Sequence, residues 1–85
     1  MSSKVKVTVK LYGTLRRHRP ATISGATHHA FTFDLTSGSS VNDLAAELGI
    51  NESTVSAVAV NGEGAGNVLL NDGDEVRFFP PSAGG

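Results

Sequence analysis

Residues 4–11 read KVKVTVKL, and the alternation is strict: Val5, Val7, Val9 and Leu11 fall on one side of an extended chain, Lys4, Lys6, Thr8 and Lys10 on the other. Successive side chains of a strand point to opposite faces, so this segment is a strand with one face buried and one in water. Such a strand cannot hide its apolar row alone. It needs further strands and a second layer packed over the buried face, and 85 residues provide one small domain in which to find them.

The same period returns at Phe31, Phe33 and Leu35, with Thr32 and Asp34 outward, so the two strands form a hairpin with a long connection. The connecting TLRRHRPATISGATHHA, residues 14–30, is basic, contains Pro20 and Gly25, and reads as a loop of the mobile kind. SVNDLAAELGI then changes the period. Val41, Leu44, Ala45 and Leu48 make one helical stripe, Ser40 and Asp43 form a variant capping box, and Gly49 with Ile50 gives a Schellman ending. NESTVS adds a turn capped by Asn51, and AVAV is a third strand with Val58 and Val60 inward. Asn61-Gly62 turns, NVLL pairs briefly, Asn71-Asp72-Gly73 turns again, and residues 74–79 form the last strand. One helix over one sheet of four to five strands makes a two-layer α+β domain. Its expected core holds Val5, Val7, Val9, Phe31, Phe33, Leu44, Leu48, Val58, Val60, Val76 and Phe78.

Several kinds of chemistry are excluded or disfavoured. There is no cysteine, hence no disulfide, thiolate metal site or cysteine nucleophile. Seven Lys and Arg against eight Asp and Glu argue against broad binding to nucleic acid or anionic membrane. No segment has the length or apolarity of a signal peptide or membrane span, which makes a cytoplasmic protein the expectation. His18, His28 and His29 lack metal-ligand spacing, and no metal is expected. Arg16, Arg17 and Arg19 read as a solvated loop or a partner contact. GEGAG, residues 62–66, follows a hairpin turn and opens no helix, so it is not a phosphate loop. Asp72, Asp74 and Glu75 read as turn and strand-edge residues.

The chain closes on FFPPSAGG, residues 78–85. In the last strand Val76 and Phe78 share the inner face, leaving Arg77 and Phe79 outside, with Phe79 an aromatic anchor beside the chain's exit. Pro80 and Pro81 cannot donate to a ladder and favour an extended, semi-rigid course. Ser82, Ala83, Gly84 and Gly85 have little bulk, and the two glycines have no Cβ to clash with a narrow passage. The ending has the shape of a probe that presents its α-carboxylate to another protein.

This order of elements, with LYGTLRR near the first strand, SVNDLAAELGI as the helix, VAVNG before the turn and LLNDGDEVRFFPPSAGG at the end, resembles the MoaD/ThiS family of ubiquitin-like sulfur carriers. The seventeen-residue ending is most similar to that of the small subunit of molybdopterin synthase. The segment from Thr14 to Ala30 is longer, more basic and richer in His than the family pattern. The resemblance implies a β-grasp domain over residues 1–79 and an extended Gly-Gly tail over residues 80–85. It implies a carrier and co-substrate rather than an enzyme, with no bound cofactor. An E1-like activating enzyme of the MoeB/ThiF type would use MgATP to adenylate Gly85, and a sulfur donor would then leave a thiocarboxylate. A larger synthase subunit of the MoaE type would receive the sulfur in molybdenum or tungsten cofactor synthesis. Three alternatives stay open: a ubiquitin-like modifier joined to lysines through Gly85, a carrier for thiamin or another metabolite, and a β-grasp interaction module whose tail has no chemistry.

Overall fold

The computed structural model describes residues 3–26 and 29–81. In chain order it has strand β1 (Lys4–Leu11), a 3-10 helix (Gly13–His18), β2 (Phe31–Thr36), helix α1 (Val41–Glu47), a second 3-10 turn (Glu52–Thr54), β3 (Ala57–Val60), β4 (Glu63–Ala65) and β5 (Glu75–Phe79). The five strands form one sheet in the order β2-β1-β5-β3-β4. β1 is antiparallel to β2 and parallel to β5, and β3 is antiparallel to both of its neighbours. The first and last strands thus lie side by side in the middle of a mixed sheet with α1 on one face. This is the β-grasp arrangement.

The register explains why the apolar rows coincide. Val9 stands between Phe31 on β2 and Val76 on β5, and Phe78 stands between Leu11 on β1 and Val58 on β3. Val7, Val9, Leu35, Leu44 and Val76 are fully enclosed. Of the expected core, Val5, Phe33, Val58 and Val60 are only half-buried and pack against the cluster from its margin. Phe33 sits on an edge strand and so lacks a neighbour on one side.

α1 has seven residues, too few to hold together in water by hydrogen bonding alone. Its ends and its buried face do the work. Ser40 Oγ accepts from the Asp43 amide at 3.3 Å and Asp43 Oδ2 accepts from the Ser40 amide at 2.9 Å. At the other end Gly49 takes φ +76°, which lets its amide reach the Ala46 carbonyl and the Ile50 amide reach that of Ala45. That is the Schellman pair, and it folds Ile50 into the core.

Three features differ from the sequence reading. The fourth strand is Glu63–Ala65, paired to β3 across Asn61 and Gly62, whose φ values of +54° and +84° are those of a type I′ turn. NVLL contributes one bridge, Ser40 to Leu69, because its backbone is drawn to the start of α1: Val68 O accepts from the Val41 amide and the Leu70 amide donates to Ser39 O. Leu70 goes into the core while Leu69 stays 67% exposed. The last strand begins at Glu75 rather than Asp74, since the Asp74 carboxylate holds the preceding turn through the Asn71 amide. The stretch after β1 is also more ordered than a loop. It opens with a 3-10 helix that buries Leu15, and Arg19 then lies over the Phe31 ring at 5.3 Å while donating to the carbonyls of Ser24 and His29.

Candidate functional site

The end of β5 is where the fold delivers the chain to its terminus, and it is gripped from both sides. On the β1 side the Tyr12 amide donates to Phe78 O at 3.2 Å. On the β3 side the Ser56 amide donates to Phe79 O at 2.8 Å and Ser56 Oγ to Pro80 O at 3.0 Å. Sheet pairing stops at Phe79, and Pro80 packs on Gly13. A Cβ at Gly13 would stand 2.8 Å from Pro80 Cγ, and the backbone there has φ +55°, so glycine is required twice over.

Phe79 lies on the outer face as the alternation requires, but it is not a free-standing aromatic. Its ring stacks on Tyr12 with centroids 4.6 Å apart and planes 18° from parallel, and the residue is half-buried. Charge surrounds this pair. Lys10 Nζ lies 5.4 Å from the Tyr12 centroid, and Arg77 pairs with Glu75 at 3.0 Å. The hydrogen bond to Glu75, its charge and the neighbouring Tyr12 raise the Arg77 pKa further, so the guanidinium is a fixed positive charge. Phe79→Ala should therefore cost about 0.5–1.5 kcal/mol of stability, the worth of an aromatic pair. It should also weaken binding to whatever protein receives the tail by roughly 1–3 kcal/mol. Thermal unfolding and calorimetric binding measure the two separately, and a large stability loss with unchanged binding would make Phe79 a core residue.

Of the residues singled out in the ending, Phe79, Pro80 and Pro81 are described, and Pro81 is exposed. Ser82, Ala83, Gly84 and Gly85 lie outside the described residues. Tyr12, Gly13 and Ser56 complete the exit, and no sequence pattern marked their roles: Ser56 falls in the turn read over NESTVS, and Tyr12 and Gly13 in LYGTLRR just past the alternating strand.

The other candidates are accounted for structurally. Asp72 Oδ1 accepts from the Lys6 amide, Asp74 accepts from Asn61 Nδ2 and the Asn71 amide, and Glu75 holds Arg77. GEGAG carries β4. Among the described residues no group of three or more His, Asp or Glu could hold a metal ion, and no helix is long and apolar enough to cross a membrane. A shallow groove of about 220 Å³ runs between α1 and β3–β4, with Val41, Ala45, Val55, Val58 and Phe78 along it and Glu52 as its one carboxylate. A single carboxylate in an open groove is no acid–base pair.

Comparison with known proteins agrees with this architecture. A family model described as the ThiS family matches residues 9–85. No curated protein sequence gives a significant match. The crystal structure of SAMP1 from Haloferax volcanii is similar at a TM-score of 0.64 and 25% identity, covering 94% of this chain and 99% of that one. The solution structure of the Haloferax volcanii HVO 2177 protein shares the fold at a TM-score of 0.70 and 20% identity, over 96% of this chain and 88% of the other.

Proposed function

Because this chain belongs to the ThiS family, whose model runs through to Gly85, we propose that it is a sulfur carrier whose C-terminal glycine becomes a thiocarboxylate for molybdopterin synthesis. Carriers of this family are small ubiquitin-like proteins that work with E1-like activating enzymes. The observation that supports the reading most directly is the exit of β5. Gly13 packs against Pro80 and Ser56 hydrogen-bonds to its carbonyl, which fixes the root of the ending, and the reading assigns residues 1–79 to the domain, residues 80–85 to the tail and the chemistry to the terminus. The double proline of FFPPSAGG favours the molybdenum or tungsten cofactor over thiamin.

A carboxylate is a poor electrophile, so sulfur cannot replace its oxygen directly. In the activating enzyme, of the MoeB/ThiF type, a Gly85 carboxylate oxygen attacks the α-phosphorus of MgATP and pyrophosphate leaves. Sulfide, as HS−, then attacks the acyl carbon, the C–O bond to phosphate breaks and AMP departs with that oxygen, and loss of the S–H proton to water leaves the thiocarboxylate. A thioacid is ionised at neutral pH and is a ready nucleophile. The carrier contributes no acid or base of its own. It contributes position, holding Pro80 and Pro81 on a rigid root so that the sulfur arrives at high effective concentration in the larger synthase subunit, of the MoaE type.

The test is intact mass spectrometry of the full chain incubated with its activating enzyme, MgATP and a sulfide source. The expected result is exchange of one oxygen for sulfur in the C-terminal peptide, followed by loss of that sulfur when the synthase subunit and precursor Z are added. Conjugates to lysines, without transfer to precursor Z, would assign the chain to the ubiquitin-like modifiers instead. No change at Gly85 with an active enzyme would leave an interaction module.

A further inference from the structure

The charges of this chain are segregated. Six of its seven Lys and Arg precede Asp34, and all eight carboxylates stand at Asp34 or beyond, so a nearly neutral protein consists of a cationic first segment and an anionic remainder. The fold places much of that cationic segment beside the exit of β5. Lys10 is paired in register with Arg77, two residues before Phe79. The 3-10 helix Gly13–His18 follows at once. Three residues per turn stack Gly13 and Arg16 along one side of it. Gly13 touches Pro80, so Arg16 stands one turn of the helix from the tail's root, with Arg17 next to it in the chain.

Arg16 and Arg17 are both exposed, and among the described residues the ion pair formed is Arg77 with Glu75, so neither has an acidic partner among those residues. Nor are they loosely hung. Leu15, 1% exposed, pins the 3-10 helix to the core, and Arg19 ties the following loop to Ser24 and His29. A rigid mount for two unpaired guanidiniums costs conformational freedom and mutual repulsion, which an opposing surface of negative charge would offset. Turn and strand hydrogen bonds occupy Asp72 and Asp74 at the opposite end of β5, while Glu52 lies across the exit beside Ser56.

We infer that Arg16 and Arg17 dock an acidic surface at the mouth of the protein cleft that receives the tail, with the Tyr12–Phe79 stack entering an apolar seat beside it. This rests on the carrier reading and names the chemistry of its partner: a protein with carboxylates at the rim of its cleft, whose encounter with the carrier is steered by charge and weakened by salt.

The experiment measures sulfur uptake by the full chain with its activating enzyme against carrier concentration and ionic strength. R16E/R17E is compared with K4E/K6E, which changes net charge equally. Lys4 and Lys6 lie on β1 at the end remote from the exit, with Lys4 and Lys10 about 20 Å apart along the strand. R16E/R17E should raise KM by at least about tenfold, leave kcat within about twofold, and flatten the salt dependence. K4E/K6E should leave KM within about twofold. Equal KM changes in the two variants would reduce the effect to net charge, and an unchanged KM in R16E/R17E would overturn the surface while leaving the carrier reading intact. Binding of a mixed-sequence single-stranded RNA oligonucleotide that is lost in R16E/R17E, with KM unchanged, would reassign the surface to nucleic acid. A wild-type chain that takes up no sulfur would overturn both readings.

Discussion

Removing Gly85 abolishes sulfur uptake completely while the domain unfolds as the wild type does: this is the largest effect expected of any single change. The reacting group would be the α-carboxylate of that residue. A chain ending at Gly84 presents its carboxylate one residue, about 3.3 Å, short of the adenylation site, and misplacement by even one ångström costs about a hundredfold. Adding one residue after Gly85 has the same outcome, because the acyl carbon is then an amide. Gly84→Val tests the passage rather than the group, since a β-branched side chain collides with walls shaped for bare backbone and should lower uptake by about a hundredfold. Intact mass measures all three, and denaturant midpoints confirm that folding is unaffected. Uptake by the shortened chain at the wild-type rate would remove the carrier mechanism.

Phe78→Ala is expected to be the most damaging change to the fold. Phe78 is 1% exposed, lies on the strand at the centre of the sheet, and faces α1 between Leu11 and Val58. Emptying such a site costs about 3–5 kcal/mol, and a domain of this size has only of order 5–10 kcal/mol in all. The variant should therefore unfold at a much lower urea concentration, with much of its near-UV signal lost at physiological temperature. Phe33→Ala is the comparison. Phe33 is half-buried on the edge strand, and its loss should cost roughly 1–3 kcal/mol, because less area is uncovered and the margin can relax. Equal costs in the two variants would contradict the burial difference between β2 and β5.

The difference between these two phenylalanines shows what alternation conveys and what it leaves out. The period of two placed Phe33 and Phe78 on the same face correctly, but it carries no information on which strand becomes central. That depends on pairing, and the pairing of β1 with β5 joins residues such as Lys10 and Arg77 that are far apart in the chain. Helix α1 was legible in full because its signals are local: Ser40 and Asp43 at one end, Gly49 and Ile50 at the other. Asn61-Gly62 was legible as a turn, yet β4 was not, since Glu63, Gly64 and Ala65 have weak strand propensity and pair only because the turn delivers them to β3. Leu15 was hidden by its neighbours. A single apolar residue among Arg16, Arg17, His18 and Arg19 makes no periodic pattern, and a 3-10 helix of six residues is too short to produce one. The exit itself was half legible. Proline chemistry marked where pairing ends, whereas the grip by Gly13 and Ser56 is a long-range contact that no local signal could announce.

Parallel pairing of β1 with β5 also imposes an order on synthesis. During translation the first strand emerges early and must wait for the last, which occupies the central position between β1 and β3. Until then two rows of backbone donors and acceptors lack their common neighbour and α1 has half a sheet to cover. The core closes only once residues 75–79 have left the ribosome, and the residues that follow them are the tail. A chain cut short before β5 thus lacks the strand that joins β1 to β3, and its apolar face stays open to proteolysis.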